Sequence, residues 1–131
     1  MRTIKYIVVH CTAGNQNAAI PDIRRVFKEY GWRHAGYHYV VLANGNVHQL
    51  EPDSEIANGV SGYNYCSIHI AWAGGHNGTL PTVKQAFALS VAINQLRKRY
   101  PNAKLVGHCD LNPRKSCPLI DVHRLPDIVP L

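Results

Sequence analysis

Two short apolar runs, each closed by a histidine, limit this chain more than any other feature. Ile4-Lys5-Tyr6-Ile7-Val8-Val9 leads into His10, and Lys104-Leu105-Val106-Gly107 leads into His108. β-Branched and aromatic residues at this density favour strands. Further strand-like runs span Gly36–Ala43, Asn46–Leu50 and Ser67–Trp72. The Asn44-Gly45 pair between the first two of these is a strong hairpin signal. Helical spacing occurs twice. Ile20, Ile23, Phe27 and Tyr30 recur on one face, with Gly31 placed as a C-cap. A second helix opens at the capping box Thr82-Val83-Lys84-Gln85 and stops at Pro101. Its expected buried stripe is Val83, Ala86, Phe87, Ile93, Leu96 and Tyr100. One short helical turn fits between Asp121 and Leu125. Strands mixed with two helices predict an α/β fold, with a central mixed β-sheet flanked by helices.

Length and composition set the remaining bounds. A chain of 131 residues supports one core and is too short for two ordinary domains, so a single domain over residues 1–131 is expected. A hydrophobic content of 46% with 17% charged residues excludes intrinsic disorder. No apolar run approaches the ~20 residues of a membrane span. The N-terminus lacks the apolar stretch and cleavage site of a signal peptide, so synthesis in the cytoplasm is expected. Fourteen Lys and Arg against eight Asp and Glu give a net charge of +6, which favours polyanionic partners without choosing among them. Lys98, with Arg97 and Arg99, forms the one dense basic run, where cations complement the end of a helix.

Strand ends that share one sheet edge project side chains into a common cleft. His10 and His108 both stand at such ends, and Cys117 follows in a proline-bounded loop. Two imidazoles and a thiolate are good Zn²⁺ ligands, and three protein ligands leave a fourth position open for water or substrate. Eight histidines and four cysteines offer many such triples, so spacing alone does not single this one out.

The surrounding residues do. In order along the chain stand Val8-Val9-His10-Cys11-Thr12-Ala13-Gly14, Gly31-Trp32, Gly36-Tyr37-His38-Tyr39-Val40-Val41 and Asn44-Gly45-Asn46-Val47. Gly62-Tyr63-Asn64, Ser67-Ile68 and Gly74-Gly75 follow, and then Gly107-His108-Cys109-Asp110-Leu111-Asn112-Pro113-Arg114-Lys115-Ser116-Cys117-Pro118. This ordered set resembles the type 2 N-acetylmuramoyl-L-alanine amidases, whose fold is shared by phage amidase endolysins and peptidoglycan recognition proteins.

The resemblance implies one Zn²⁺ per chain at one edge of the sheet. The reaction it implies is cleavage of the amide between the lactyl group of N-acetylmuramic acid and the L-Ala of the stem peptide. His10, His108 and Cys117 fall on the family's metal ligands, and Tyr37 and Lys115 on its active-site tyrosine and lysine. Lys115 would then stabilise the tetrahedral oxyanion, and Tyr37 would hold or deprotonate the attacking water. Trp32, His34, Asn58 and Asn64 are the expected substrate contacts. The implied partner is bacterial peptidoglycan, with no nucleic acid, and the expected state is a monomer. A phage or prophage endolysin of this kind acts on the wall after release or export.

Three departures stand out. The segment Ser67–Ala73 contains no acid, so no carboxylate base is assigned. His69 replaces the family's usual glycine, and Asn58 stands near a place where many members have histidine. A non-catalytic peptidoglycan-binding module on the same fold is the alternative, but such members lose the third ligand, which Cys117 retains. A nucleic-acid binder with a structural zinc is disfavoured by the lack of aromatic–basic interleaving and of finger spacing. Tyr37 and Tyr39 alternate with His38, so both are expected on one sheet face. Cys11, Cys66 and Cys109 are expected as small packed thiols rather than redox partners.

Overall fold

A computed structural model of the chain describes residues 2–125; the first residue and residues 126–131 of the expected domain lie outside the described range. The elements are β1 (Tyr6–Cys11), α1 (Ile20–Glu29), β2 (Tyr39–Val41), β3 (Val47–Gln49), β4 (Ser67–Trp72), α2 (Val83–Arg99), β5 (Lys104–Gly107) and α3 (His108–Leu111). They form one domain around a five-stranded sheet of order β3-β2-β4-β1-β5. β1 runs parallel to β4 and β5, β2 runs parallel to β4, and only β3 is antiparallel. The mixed sheet agrees with the α/β expectation. The antiparallel pair is the Asn44-Gly45 hairpin, closed by Gly45 N–H donating to the Leu42 carbonyl at 2.8 Å.

Alternation along β1 and β4 sorts the sheet into two faces. Ile7, Val9, Cys11, Ile68, Ile70 and Trp72 pack with Leu89, Ile93 and Leu96 of α2. Ala71 and Val40 belong instead to the cluster around Ile23 and Phe27 of α1. All six residues of β4 are buried, as a parallel strand covered on both faces requires. His10 pairs in register with Ala71 and Val8 with His69, so both histidines belong to the α1 face.

α2 begins as expected but turns a different face inward. Thr82 Oγ1 accepts the Gln85 N–H at 3.0 Å, and Gln85 Oε1 accepts the Thr82 N–H at 2.9 Å. The Gln85 side chain is itself fully buried, and its Nε2 donates to the carbonyls of Val41 and Ala73 at 3.2 and 2.7 Å. Gln85 thereby ties the start of the helix to the ends of β2 and β4. The buried stripe is Gln85, Ala86, Leu89, Ile93 and Leu96. Val83 and Phe87, expected inside, are 87% and 66% exposed. Counting Gln85 as polar surface had turned the expected stripe away from the observed one. Gln85→Ala should cost about 2–3 kcal/mol, because it removes the cap and leaves buried sheet-end carbonyls short of donors. Urea unfolding at fixed pH measures it, and an unchanged midpoint would contradict this role for Gln85.

The paired-tyrosine expectation also needs correction. The chain bends at Gly36 and His38 before β2 begins, so alternation does not extend back to Tyr37. Tyr37 packs with the α1 cluster, whereas Tyr39 packs with the α2 cluster and donates its hydroxyl to Asp53. His38 is fully buried, as expected. β1 also extends further than its apolar run, taking in His10 and Cys11.

Candidate metal centre and active-site cleft

The parallel pairing of β1 and β5 decides where the histidines meet. Val9 pairs with Gly107, so His10 near the end of β1 and His108 at the start of α3 lie side by side at one sheet edge. α3 was not expected from the sequence. Asp110 Oδ2 accepts the Gly107 N–H at 2.8 Å and organises this single turn. The loop after α3 returns to the same edge: the Cys109 N–H donates to the Cys117 carbonyl at 2.9 Å, and Trp72 Nε1–H donates to the Pro118 carbonyl at 3.1 Å. Cys117 Sγ accepts the backbone N–H of Cys11 at 2.8 Å. The neighbouring loop comes close as well. A Cβ on Gly75, whose φ is 95°, would stand 2.8 Å from Cys11 Sγ.

One ligand atom each from His10, His108 and Cys117 lie within 4.8 Å of one another. The two Nδ1 atoms are 3.2 Å apart. Legs of ~2.0–2.1 Å at a tetrahedral angle span about 3.3 Å between nitrogens, so the spacing suits Zn²⁺. Burial, with His69 and His108 nearby, pushes His10 well below the usual imidazole range. Burial and the Lys115 ammonium lower His108. Both rings are therefore neutral near pH 7 and carry the lone pairs a metal needs. The hydrogen bond with the Cys11 thiol, with burial, pushes the Cys117 thiol up in the metal-free protein. A divalent ion reverses that preference by displacing the proton.

The centre lies in a cleft of about 950 Å³ whose lining includes Trp32, Tyr37, Asn58, Asn64, Asn112 and Lys115. The Tyr37 ring sits 5.1 Å from the His10 ring, centroid to centroid. Burial, with Cys117 and Cys11 nearby, pushes its hydroxyl above the usual phenol range. Trp32 is 40% exposed and stacks on Phe27 at 5.9 Å. Of the expected substrate contacts, His34 stands apart: its ring faces Glu51 at 3.5 Å and it is absent from the cleft lining. Asn58 donates to the His34 carbonyl, and the amide oxygen of Asn64 is engaged by Val60 and His69. The expected Cys11–Cys109 neighbourhood is replaced by Cys11 beside Cys117, and all four cysteines are free thiols. Cys109 is half-buried rather than buried.

Sequence reasoning missed the contact behind the centre, where His69 Nδ1 lies 2.9 Å from His10 Nε2. Alternation within β4 would have put His69 on the α1 face, but only the strand register brings it to His10.

Comparison with known proteins is decisive about kinship. The family model described as N-acetylmuramoyl-L-alanine amidase matches residues 1–119. The chain belongs to this amidase family. The endolysin of Enterobacteria phage K11 is 32% identical over 123 residues, covering 88% of this chain and 81% of that protein. The Ph2119 endolysin of a Thermus scotoductus bacteriophage superposes with a TM-score of 0.83 at 34% identity, covering 90% of this chain and 79% of that one. The N-acetylmuramoyl-L-alanine amidase LysC from Clostridium intestinale superposes with a TM-score of 0.81 at 26% identity, covering 89% and 77%. As a member of the amidase family the chain is a hydrolase, and among the described residues no helix is long and apolar enough to cross a membrane.

Proposed function

We propose that this amidase hydrolyses peptidoglycan between N-acetylmuramic acid and L-Ala, as a monomeric phage or prophage endolysin that needs one Zn²⁺ per chain. The observation that carries the reading is the convergence of His10, His108 and Cys117 on the cleft. Two neutral imidazoles and a thiol fit zinc's preference for nitrogen and sulfur, and three protein donors suit a catalytic rather than a structural site. When bound, Zn²⁺ supplies a Lewis acid for the amide carbonyl and for water.

The chain's own groups account for the rest. Lys115 lines the cleft beside His108, and its ammonium gives a fixed positive charge for the oxygen that becomes negative as the amide turns tetrahedral. Tyr37 stays a neutral phenol, so it orients water or donates to the developing oxyanion rather than acting as a base. This narrows the role expected from the sequence. Trp32 offers an aromatic surface to the glycan, and Asn58 and Asn64 belong to the opposite rim as substrate contacts. His34 is left in the proposed set only through its carbonyl, which orders Asn58. The net charge of +6 suits an anionic wall.

Digestion of purified sacculi tests the reading. New L-Ala amino termini and intact glycan chains, seen by mass spectrometry, are expected. New reducing ends, or cleavage within the stem peptide, would contradict it.

A further inference from the structure

The cleft floor contains a buried polar chain that the proposed reaction does not use. It begins at a donor whose role is unambiguous. The Val60 backbone N–H donates to Asn64 Oδ1 at 2.7 Å, which identifies that atom as the amide oxygen. The same oxygen lies 2.9 Å from His69 Nε2. An oxygen without a proton can only accept, so Nε2 of His69 carries the hydrogen. His69 is fully buried and neutral, which leaves its Nδ1 with a lone pair. That Nδ1 faces His10 Nε2 at 2.9 Å. His10 must therefore donate from Nε2, and its Nδ1, turned toward His108 and Cys117, is left bare.

We infer that His69 is a positioning residue for the metal centre: it fixes the tautomer and ring orientation of His10 so that Nδ1 is always the ligating atom. The inference rests on the proposed role of His10 as a metal ligand. Ligating imidazoles characteristically use their second nitrogen to donate to a carboxylate, carbonyl or water, and here a second imidazole takes that part. The surroundings are shaped for it. The His38 N–H donates to the His69 carbonyl at 2.9 Å, and the His69 N–H donates to His38 Nδ1 at 3.0 Å, so the backbone that carries the ring is held on both sides. Gly59 gives the ring its space: a Cβ there would lie 2.3 Å from His69 Nδ1 and 2.5 Å from its Cγ. The strand histidine and the loop glycine act as a pair, and the ring between them has no access to water.

The test uses the full chain in wild-type, His69→Leu and His69→Asn forms. Leu removes the acceptor, whereas the Asn amide oxygen can stand near the place of Nδ1 and accept from His10. Two-bond ¹⁵N–¹H correlation of the metal-free wild type reads the His10 tautomer directly, and a single Nε2–H form is expected. Competition with a chromophoric chelator reads zinc affinity. His69→Leu should weaken it by about 10–100-fold, and His69→Asn should recover most of the loss. Circular dichroism checks that each variant is folded. A His10 ring protonated at Nδ1, or a folded His69→Leu that binds zinc as the wild type does, overturns the inference. Should His69→Leu fail to fold, the wild-type tautomer decides alone. A wild type that binds no zinc but shows the Nε2–H form would sink the proposed function while leaving the tautomer chain standing.

Discussion

Cys117→Ser abolishes both zinc binding and wall hydrolysis, whereas Cys109→Ser and Cys11→Ala leave zinc in place. The difference follows from what each sulfur touches. Cys117 Sγ is grouped with the two histidine nitrogens, and it accepts a backbone N–H from Cys11 that supports negative charge on sulfur. A serine hydroxyl in its place ionises far less readily and is a poor zinc ligand. The Cys11 contribution is a main-chain N–H, so changing its side chain removes only a packed thiol. Cys109 contacts the loop through its own backbone, which substitution also preserves. Cys117→Asp separates ligand from fold, since a carboxylate oxygen can hold zinc and should keep part of the metal and some activity. Elemental analysis beside muropeptide release for these variants measures the effect. Zinc retained by Cys117→Ser but lost from Cys109→Ser would mean that the ligand set is wrong.

Lys115→Ala keeps the metal and the fold but lowers turnover by about 10²–10³, the usual loss for one oxyanion donor. Lys115 is exposed at the cleft and makes no side-chain hydrogen bond or ion pair among the described residues, so folding does not depend on its ammonium. The loss should appear in kcat, with KM little changed, because the negative charge exists only at the transition state. Tyr37→Phe should also lose activity while retaining zinc, since the ring still packs against Phe27 and His10. Near wild-type turnover in either variant would remove that residue from the mechanism.

Much of this arrangement could be read from the sequence because it is local. The strands, the hairpin at Asn44-Gly45 and the Thr82 capping box depend on neighbours within a few residues, and each stands where the pattern indicates. The metal triple was legible for a different reason: motif order carried it, and parallel strands end at a common edge. What escaped depends on register or on a polar side chain with an inward task. Gln85 turns inward because Val41 and Ala73 need a donor, a demand visible only once the sheet is assembled. Tyr37 leaves the face of Tyr39 because the backbone bends before β2. His69 reaches His10 through the β1–β4 register, which no pattern within either strand encodes.

Zinc titration of the chelator-stripped protein, with release of L-Ala amino termini from sacculi followed at each addition, tests the account most directly. Activity absent without metal, rising in proportion to added zinc and levelling at one equivalent per chain, is the predicted result. Full hydrolysis by protein that elemental analysis shows to be free of metal would contradict it.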